Sequence, residues 1–252
     1  MSRFVSITEA RAMSGLRMAC LRAVPSPWTE AAKGIFHVKG LDCQYAGQSE
    51  DDPENAIAQW AGDSSAPVVA YDDEPLRTGW AGILLLAERL APDTPLLPAD
   101  FEGRAVVMGL AHEICGEMGL GWAARNLLVG EGFASEGASG FHPKVGKFLA
   151  GKYGYREEED YRGRVIQILE GLSARIAGRR FLVGDSLTAV DIYWAVFSNL
   201  LAPLPEEKLP MHPRFRQMWE TAPAEVKAAA SGELMAHRDR IYDEYLETPA
   251  VL

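Results

Sequence analysis

The stretch that decides the fold is residues 65–90, SAPVVAYDDEPLRTGWAGILLLAERL. An apolar run at 68–71, the acidic triplet at 72–74 and the residues at 75–77 predict two short strands joined by a turn. The first strand is entered through Pro67. Proline gives a sheet no hydrogen-bond donor, and the bond before it is the usual place for a cis peptide. A cis Ala66-Pro67 bond would leave the backbone groups of Ala66 free to pair with an extended ligand.

A helix is predicted to follow from Thr78. Its apolar residues recur at intervals of three and four, which is the spacing of one buried helix face: Trp80, Ile83, Leu84, Ala87 and Leu90. Residues 65–90 therefore predict the order strand, turn, strand, helix.

Upstream, the sequence predicts a strand, a helix and a second strand. In residues 16–21, Leu16, Met18 and Cys20 alternate with Arg17, Ala19 and Leu21, which predicts a strand. A helix starts near Trp28 after two prolines, and residues 42–46 allow another strand. Residues 51–61 are acidic and weakly helical, with a proline in the first turn. The tetrapeptide SITE at 6–9 has the spacing of a capping box, which predicts a short N-terminal helix.

Downstream, the proline-rich residues 91–98, APDTPLLP, predict a semi-rigid linker, and the rest of the chain is helical in period. The glycine-rich residues 130–140, GEGFASEGASG, predict a flexible loop. In the stretch GDSLTAVDIYWAVFSNLL at 184–201, Thr188 is the predicted N-cap and Asp191 stands at N3, where its carboxylate can reach back to the cap. The helix after Asp191 is apolar nearly all round, so we expect it to be central and buried.

Composition excludes several classes of function. The chain has 252 residues, 48% of them hydrophobic, which is enough for one large domain or two small ones. A net charge of −10 argues against nucleic acid and anionic membrane surfaces as partners. No run is long enough to span a bilayer, and the N-terminus lacks the apolar core of a signal peptide. The three cysteines have no CxxC spacing and the five histidines no ligand spacing, so we expect a cytoplasmic protein with reduced thiols and no metal.

The order strand, helix, strand, connector, then two strands and a helix resembles the thioredoxin-like domain of cytosolic glutathione transferases. In that family the proline-led strand and hairpin are followed by a helix with a leucine-rich LAER-like end, as at residues 84–90 here. LTAVDI at 187–192 is similar to the family's LTxADI-like box, and HPRFRQMW at 212–219 to its HPxxxxW-like segment. The resemblance implies a thioredoxin-like α/β domain at residues 1–92, a linker at 93–100, an all-helical domain at 101–252, and a two-fold homodimer.

The resemblance also implies glutathione as cofactor. Catalysis in this family consists largely of ionising the glutathione thiol, whose free pKa is about 8.5, with the help of a hydroxyl donor and a helix N-terminus. Ser26, Pro27 and Trp28 resemble the SPF/SPY motif of serine-type members, which implies that Ser26 is the donor. The alternative is that these residues only form the turn into a helix. The implied activity is the attachment of a glutathione thiolate to a hydrophobic electrophile, by conjugation, reductive cleavage or isomerisation.

At the two ends of the cofactor this chain departs from the family pattern. The family has a Glu/Gln-Ser pair at the third helix where this chain has Thr78 and Gly79, although a hydroxyl and free helix-start amides can hold a carboxylate. Residues between 41 and 76 include nine acidic residues and no Lys, Arg or His. Gln59, Trp60 or Arg77 would therefore have to replace the cation that family members use there. Since glutathione is a net anion, we expect weak, salt-sensitive binding.

Two competing hypotheses stay open. One is a binding or scaffolding protein that kept the fold and lost glutathione, which the missing Glu-Ser pair and the acidic interval favour. The other is a thioredoxin-type redox enzyme. The absence of a cysteine at the start of the first helix argues against it. Trp122, Met118 and Phe133 could wall an apolar pocket for a second substrate, or they could serve only in helix packing.

Overall fold

The computed structural model describes residues 4–48, 55–62 and 65–252. In the first part of the chain the elements are β1 (Phe4–Val5), α1 (Ile7–Ala12), β2 (Leu16–Leu21), α2 (Pro27–Val38), β3 (Gln44–Gln48), α3 (Ala56–Ala61), β4 (Val68–Tyr71) and α4 (Trp80–Leu90). The helices that follow are α5 (Phe101–Cys115), α6 (Leu120–Ala134), α7 (Pro143–Tyr153), α8 (Tyr161–Ile176), α9 (Ala189–Phe197), α10 (Pro213–Glu220), α11 (Ala224–Ala229) and α12 (Gly232–Tyr245). The N-terminal part of the predicted acidic helix, residues 51–54, lies outside the described residues.

The sheet has the strand order β1-β3-β2-β4, in which β1, β3 and β2 are parallel and β4 is antiparallel to β2. The second strand of the predicted hairpin is reduced to one bridge, where the backbones of Val69 and Arg77 exchange hydrogen bonds of 2.8 and 2.9 Å. The Ala66-Pro67 bond is cis, as expected. Strand β1, which pairs Phe4 with Tyr45, was not predicted, because two residues carry no periodic signal.

The thioredoxin-like sheet is followed by an all-helical part, which confirms the predicted fold class. Helix α9 is its centre: each of its residues is buried, and it packs against α2, α5 and α12. One hydrophobic cluster runs from Met18 in the sheet to Trp194 in α9, so the two parts share a continuous core. No helix in the described ranges is long and apolar enough to cross a membrane.

The prediction of a flexible loop at 130–140 was wrong for residues 130–134, which are helical, whereas residues 135–140 form turns and bends. Helix α6 continues to Ala134, and Gly132 is buried within it. A Cβ at Gly132 would lie 2.0 Å from the carbonyl oxygen of Phe141, so the returning chain packs directly on the helix backbone. Because Gly132 has no side chain, the backbone at Phe141 can pack closely on the backbone of α6.

Candidate functional site

A cavity of about 250 Å³ lies where the sheet side of the molecule meets the helical part. It is walled by residues of α2 between Trp28 and Ile35, the cis Ala66-Pro67 turn, the start of α4, the end of α5 and residues of α6, α7 and α9. The lining residues are Trp28, Ala32, Ile35, Ser65, Ala66, Pro67, Thr78, Gly79, Trp80, Ile83, Cys115, Gly116, Glu117, Trp122, Lys152, Tyr153 and Tyr193. Five of these residues are aromatic and two are charged.

The cavity brings together five of the residues that the sequence singled out: Trp28, Ala66, Pro67, Thr78 and Gly79. The other four, Ser26, Gln59, Trp60 and Arg77, are not in its wall. Of the three residues considered for a second-substrate pocket, Trp122 lines the cavity, whereas Met118 and Phe133 do not.

Trp28 anchors the first turn of α2 to the helical part. Its indole Nε1 donates a hydrogen bond of 2.9 Å to the carbonyl of Cys115, and its ring meets Phe197 edge-on at 5.0 Å. The ring also stacks on Tyr153 at 6.1 Å. These contacts fix one wall of the cavity through residues of α2, α7 and α9.

Ser26 is the N-cap residue of α2 and is 8% exposed. Its carbonyl accepts the backbone N–H of Glu30 at 2.9 Å, but its hydroxyl does not cap the helix and makes no hydrogen bond to any described residue. Its neighbours Pro25 and Pro27 line a smaller cavity of about 40 Å³ beside the C-terminal segment. The Ser26 hydroxyl thus has no hydrogen-bond partner among the described residues, and Ser26 lies two positions before Trp28 of the main cavity wall.

Two of the proposed cation substitutes are engaged elsewhere. The guanidinium of Arg77 forms an ion pair with Glu74 at 2.9 Å and also donates to the carbonyl of Pro75. Trp60 lines a different surface groove, which includes Arg11 and Asp72. The charged residues that do line the main cavity, Glu117 and Lys152, both come from the helical part, and sequence reasoning missed them. The one sequence signal for Lys152 was its place in a lysine-containing helix without acidic residues.

The thiols do not have the environment of reactive cysteines. All three are free, burial raises the pKa of Cys20 to about 11, and burial also raises the pKa values of Cys43 and Cys115. Cys115 lines the cavity, but its thiol stays protonated at neutral pH. Reactive cysteines have lowered pKa values, so this environment does not support thioredoxin-type chemistry. Within the described part of the chain, no group of three His, Cys, Asp or Glu residues could hold a metal ion.

Neither a protein-family model nor a curated protein matches the sequence. Solved structures do match. A glutathione S-transferase of Methylobacterium radiotolerans in complex with glutathione sulfonate superposes with a TM-score of 0.63 at 17% identity, over 95% of this chain and 98% of that one. A glutathione transferase family member of Pseudomonas fluorescens, with two glutathione bound, gives 0.63 at 15% identity over 94% of both chains. A rice glutathione transferase in complex with glutathione gives 0.60 at 16% identity, over 94% of this chain and 93% of that one.

The chain is an α/β protein with an added helical part: a thioredoxin-like sheet is joined to a helical bundle, and a cavity lies between them. The likenesses then identify the particular fold: the chain has the fold of the glutathione S-transferases.

Proposed function

We propose that the chain is a cytoplasmic, homodimeric enzyme of the glutathione transferase superfamily that attaches a glutathione thiolate to a hydrophobic electrophile. The observation that carries the proposal is the cavity, in which Ala66 and Pro67, Trp28 of α2 and the start of α4 meet aromatic walls. Solved proteins of the same fold hold glutathione or glutathione sulfonate. An apolar, aromatic-lined cleft with a few polar groups is also the usual form of a small-molecule site.

In the proposed mechanism the backbone of Ala66 pairs with the cofactor, and the amides of Thr78 and Gly79 receive a carboxylate at the start of α4. The N-terminus of α2, a helix of 12 residues, lowers the pKa of the bound thiol, and the Ser26 hydroxyl donates a hydrogen bond to the thiolate. The thiol proton leaves to solvent. The sulfur then forms a bond to an electrophilic carbon, and either a leaving group departs with its electron pair or a double bond takes up a proton.

The second candidate is a non-catalytic binding or scaffolding protein that has lost glutathione. Two observations favour it: Ser26 is absent from the cavity wall, and Thr78 and Gly79 stand in place of the family's Glu-Ser pair. Under this hypothesis the cavity would bind an apolar molecule without chemistry. Two measurements distinguish the candidates. The enzyme binds glutathione and accelerates its addition to an electrophile, whereas the binding protein does neither.

Ser26→Ala tests the catalytic assignment. A hydrogen bond to a charged group contributes about 1.5–3 kcal/mol, so we expect a roughly ten- to hundred-fold loss of rate near neutral pH. The loss should shrink as pH rises, because solvent then ionises the thiol without help, and glutathione affinity should change little. The measurement is the rate of glutathione addition to an aryl halide between about pH 6 and pH 9, with the exposed Ser14→Ala as control.

Equal rates for Ser26→Ala and wild type at every pH would remove Ser26 from the mechanism. A wild-type protein that neither binds glutathione nor accelerates thiol addition would instead support the binding protein.

A further inference from the structure

The sheet side of the cavity offers no positive charge to an anionic ligand. Residues 41–76 contain no Lys, Arg or His, and Arg77 is not in the cavity wall. In the cavity wall of the described structure the charged side chains are those of Lys152, on α7, and Glu117, just after α5. One cation and one anion thus reach the cavity from the helical part.

Helix α7 has an unusual charge for this protein. The chain carries a net charge of −10, yet residues 143–153 contain Lys144, Lys147 and Lys152 and no acidic residue. All three lysines are exposed. A positive helix beside a cleft raises the local concentration of anions and guides them inward.

The end of α7 is held in place at the cavity. The carbonyl of Tyr153 accepts hydrogen bonds from Trp122 Nε1 at 2.8 Å and Asn126 Nδ2 at 3.0 Å. The Tyr153 ring packs edge-on against Trp122 at 4.8 Å, and the Lys152 ammonium lies 5.9 Å from the centre of the same ring. The backbone next to Lys152 is therefore anchored to α6.

We propose that the helical part supplies the charged contacts that the sheet side lacks: Lys152 receives a carboxylate of glutathione, and Glu117 receives its ammonium group. The inference rests on the proposed function. Glutathione has two carboxylates and one ammonium group. One carboxylate is met by Lys152 and the ammonium by Glu117, which leaves the second carboxylate to the amides at the start of α4. The weak binding expected from residues 41–76 follows from the charges of the sheet side alone.

Calorimetric titration with glutathione tests the assignment of Lys152. Lys152→Met should weaken binding about tenfold, the value of one charge-assisted contact at a partly exposed site, and Lys152→Arg should restore most of the affinity. The control is Lys147→Met, which removes an equal charge from the exposed face of the same helix but outside the cavity wall, and should change affinity less than about twofold. The difference between Lys152→Met and wild type should shrink as salt is raised.

Glu117 is tested with a second ligand. Glu117→Gln should weaken glutathione binding about fivefold, as expected for the loss of one exposed charged contact. It should leave the affinity for N-acetylglutathione unchanged, because that ligand has no ammonium group. An equal loss for both ligands would overturn the ammonium contact.

The failure of this inference differs from the failure of the proposed function. If wild type binds glutathione and Lys152→Met binds it as tightly as Lys147→Met, the inference is wrong and the proposed function stands. If Lys152→Met weakens the binding of a simple aromatic carboxylate such as 2-naphthoate but not the binding of glutathione, Lys152 serves a different ligand and the inference is again wrong. No binding of millimolar glutathione by wild type overturns both.

Discussion

Asp191 joins three segments of the helical part through a single carboxylate. Its Oδ2 accepts the backbone N–H and the hydroxyl of Thr188, both at 2.8 Å, and its Oδ1 accepts the N–H of Leu182 at 2.8 Å. Oδ1 also lies 2.9 Å from Nε2 of His237 in α12. Asp191 and His237 are both buried. The predicted cap of α9 is therefore also the point where α9, α12 and the chain before α9 are tied together.

Asp191→Ala should lower the free energy of unfolding by about 3–5 kcal/mol, because it leaves buried donors and a buried histidine without their acceptor. Asp185→Ala, an exposed carboxylate in the preceding loop, should change it by less than about 0.5 kcal/mol. Urea unfolding at neutral pH measures both. Similar midpoints for the two variants would show that the Asp191 network contributes no stability.

At the scale of the element, α6 shows how a glycine-rich sequence can form a packed helix. The Phe141 N–H donates to the carbonyl of Leu128 at 3.0 Å, and the Gly137 N–H donates to that of Gly132 at 2.9 Å. Gly140 has φ +67°, and a Cβ there would lie 2.2 Å from the Leu128 oxygen. The chain after α6 therefore runs back along the helix at backbone contact distance, where only glycine fits.

Gly132→Ala should destabilise the protein by about 1–3 kcal/mol or more, since its Cβ would overlap the Phe141 carbonyl. In a helix without such packing, alanine is more favourable than glycine by about 1 kcal/mol. Helix propensity alone therefore predicts that Gly132→Ala stabilises the protein. Gly109→Ala is the matched control, because Gly109 is exposed in α5 with no atom within 4 Å of its added Cβ, and it should stabilise. Thermal unfolding shows whether each variant is more or less stable than wild type. Stabilisation by Gly132→Ala would contradict the close approach of the Phe141 carbonyl to Gly132.

At the scale of the whole molecule, the core holds several weak acids in their neutral form. Burial raises the pKa of Cys20 from its ordinary value of 9.0 to about 11, and burial also raises the pKa values of Cys115, Tyr193 and Tyr242. Because each folded pKa lies above the unfolded one, the folded state keeps protons that the unfolded state releases. The stability that results is complete below about pH 9 and is lost as pH rises towards the folded values.

We therefore expect the free energy of unfolding to fall steeply between about pH 9 and pH 11. Cys20→Val should make this fall shallower by about 2–3 kcal/mol over that range, since one pKa unit corresponds to about 1.36 kcal/mol. Urea unfolding at steps of one pH unit, with reductant present, measures the slope for both proteins. Identical slopes would mean that Cys20 ionises as readily in the folded protein as in the unfolded chain.

Local patterns predicted those features that neighbouring residues decide. The strand at 16–21, the helix after Ser26, the cis bond at Ala66-Pro67 and the capping box at Thr188 and Asp191 all depend on residues within one turn or one strand, and the structure contains each of them. The helical residues 130–134 were wrongly predicted as a loop because glycine spacing does not reveal whether another backbone segment lies alongside.

The sequence by itself therefore determined the order of elements, their local caps and the α/β-then-helical architecture, because hydrophobic period and capping chemistry act over a few residues. Only the tertiary structure decided which distant residues come together: His237 meets Asp191 across 46 positions, and Lys152 lines the same cavity as the cis-proline turn. Such contacts arise from the packing of elements that are distant in the chain. The charge of the candidate site depends on these contacts, so it could not be read from the thioredoxin-like half alone.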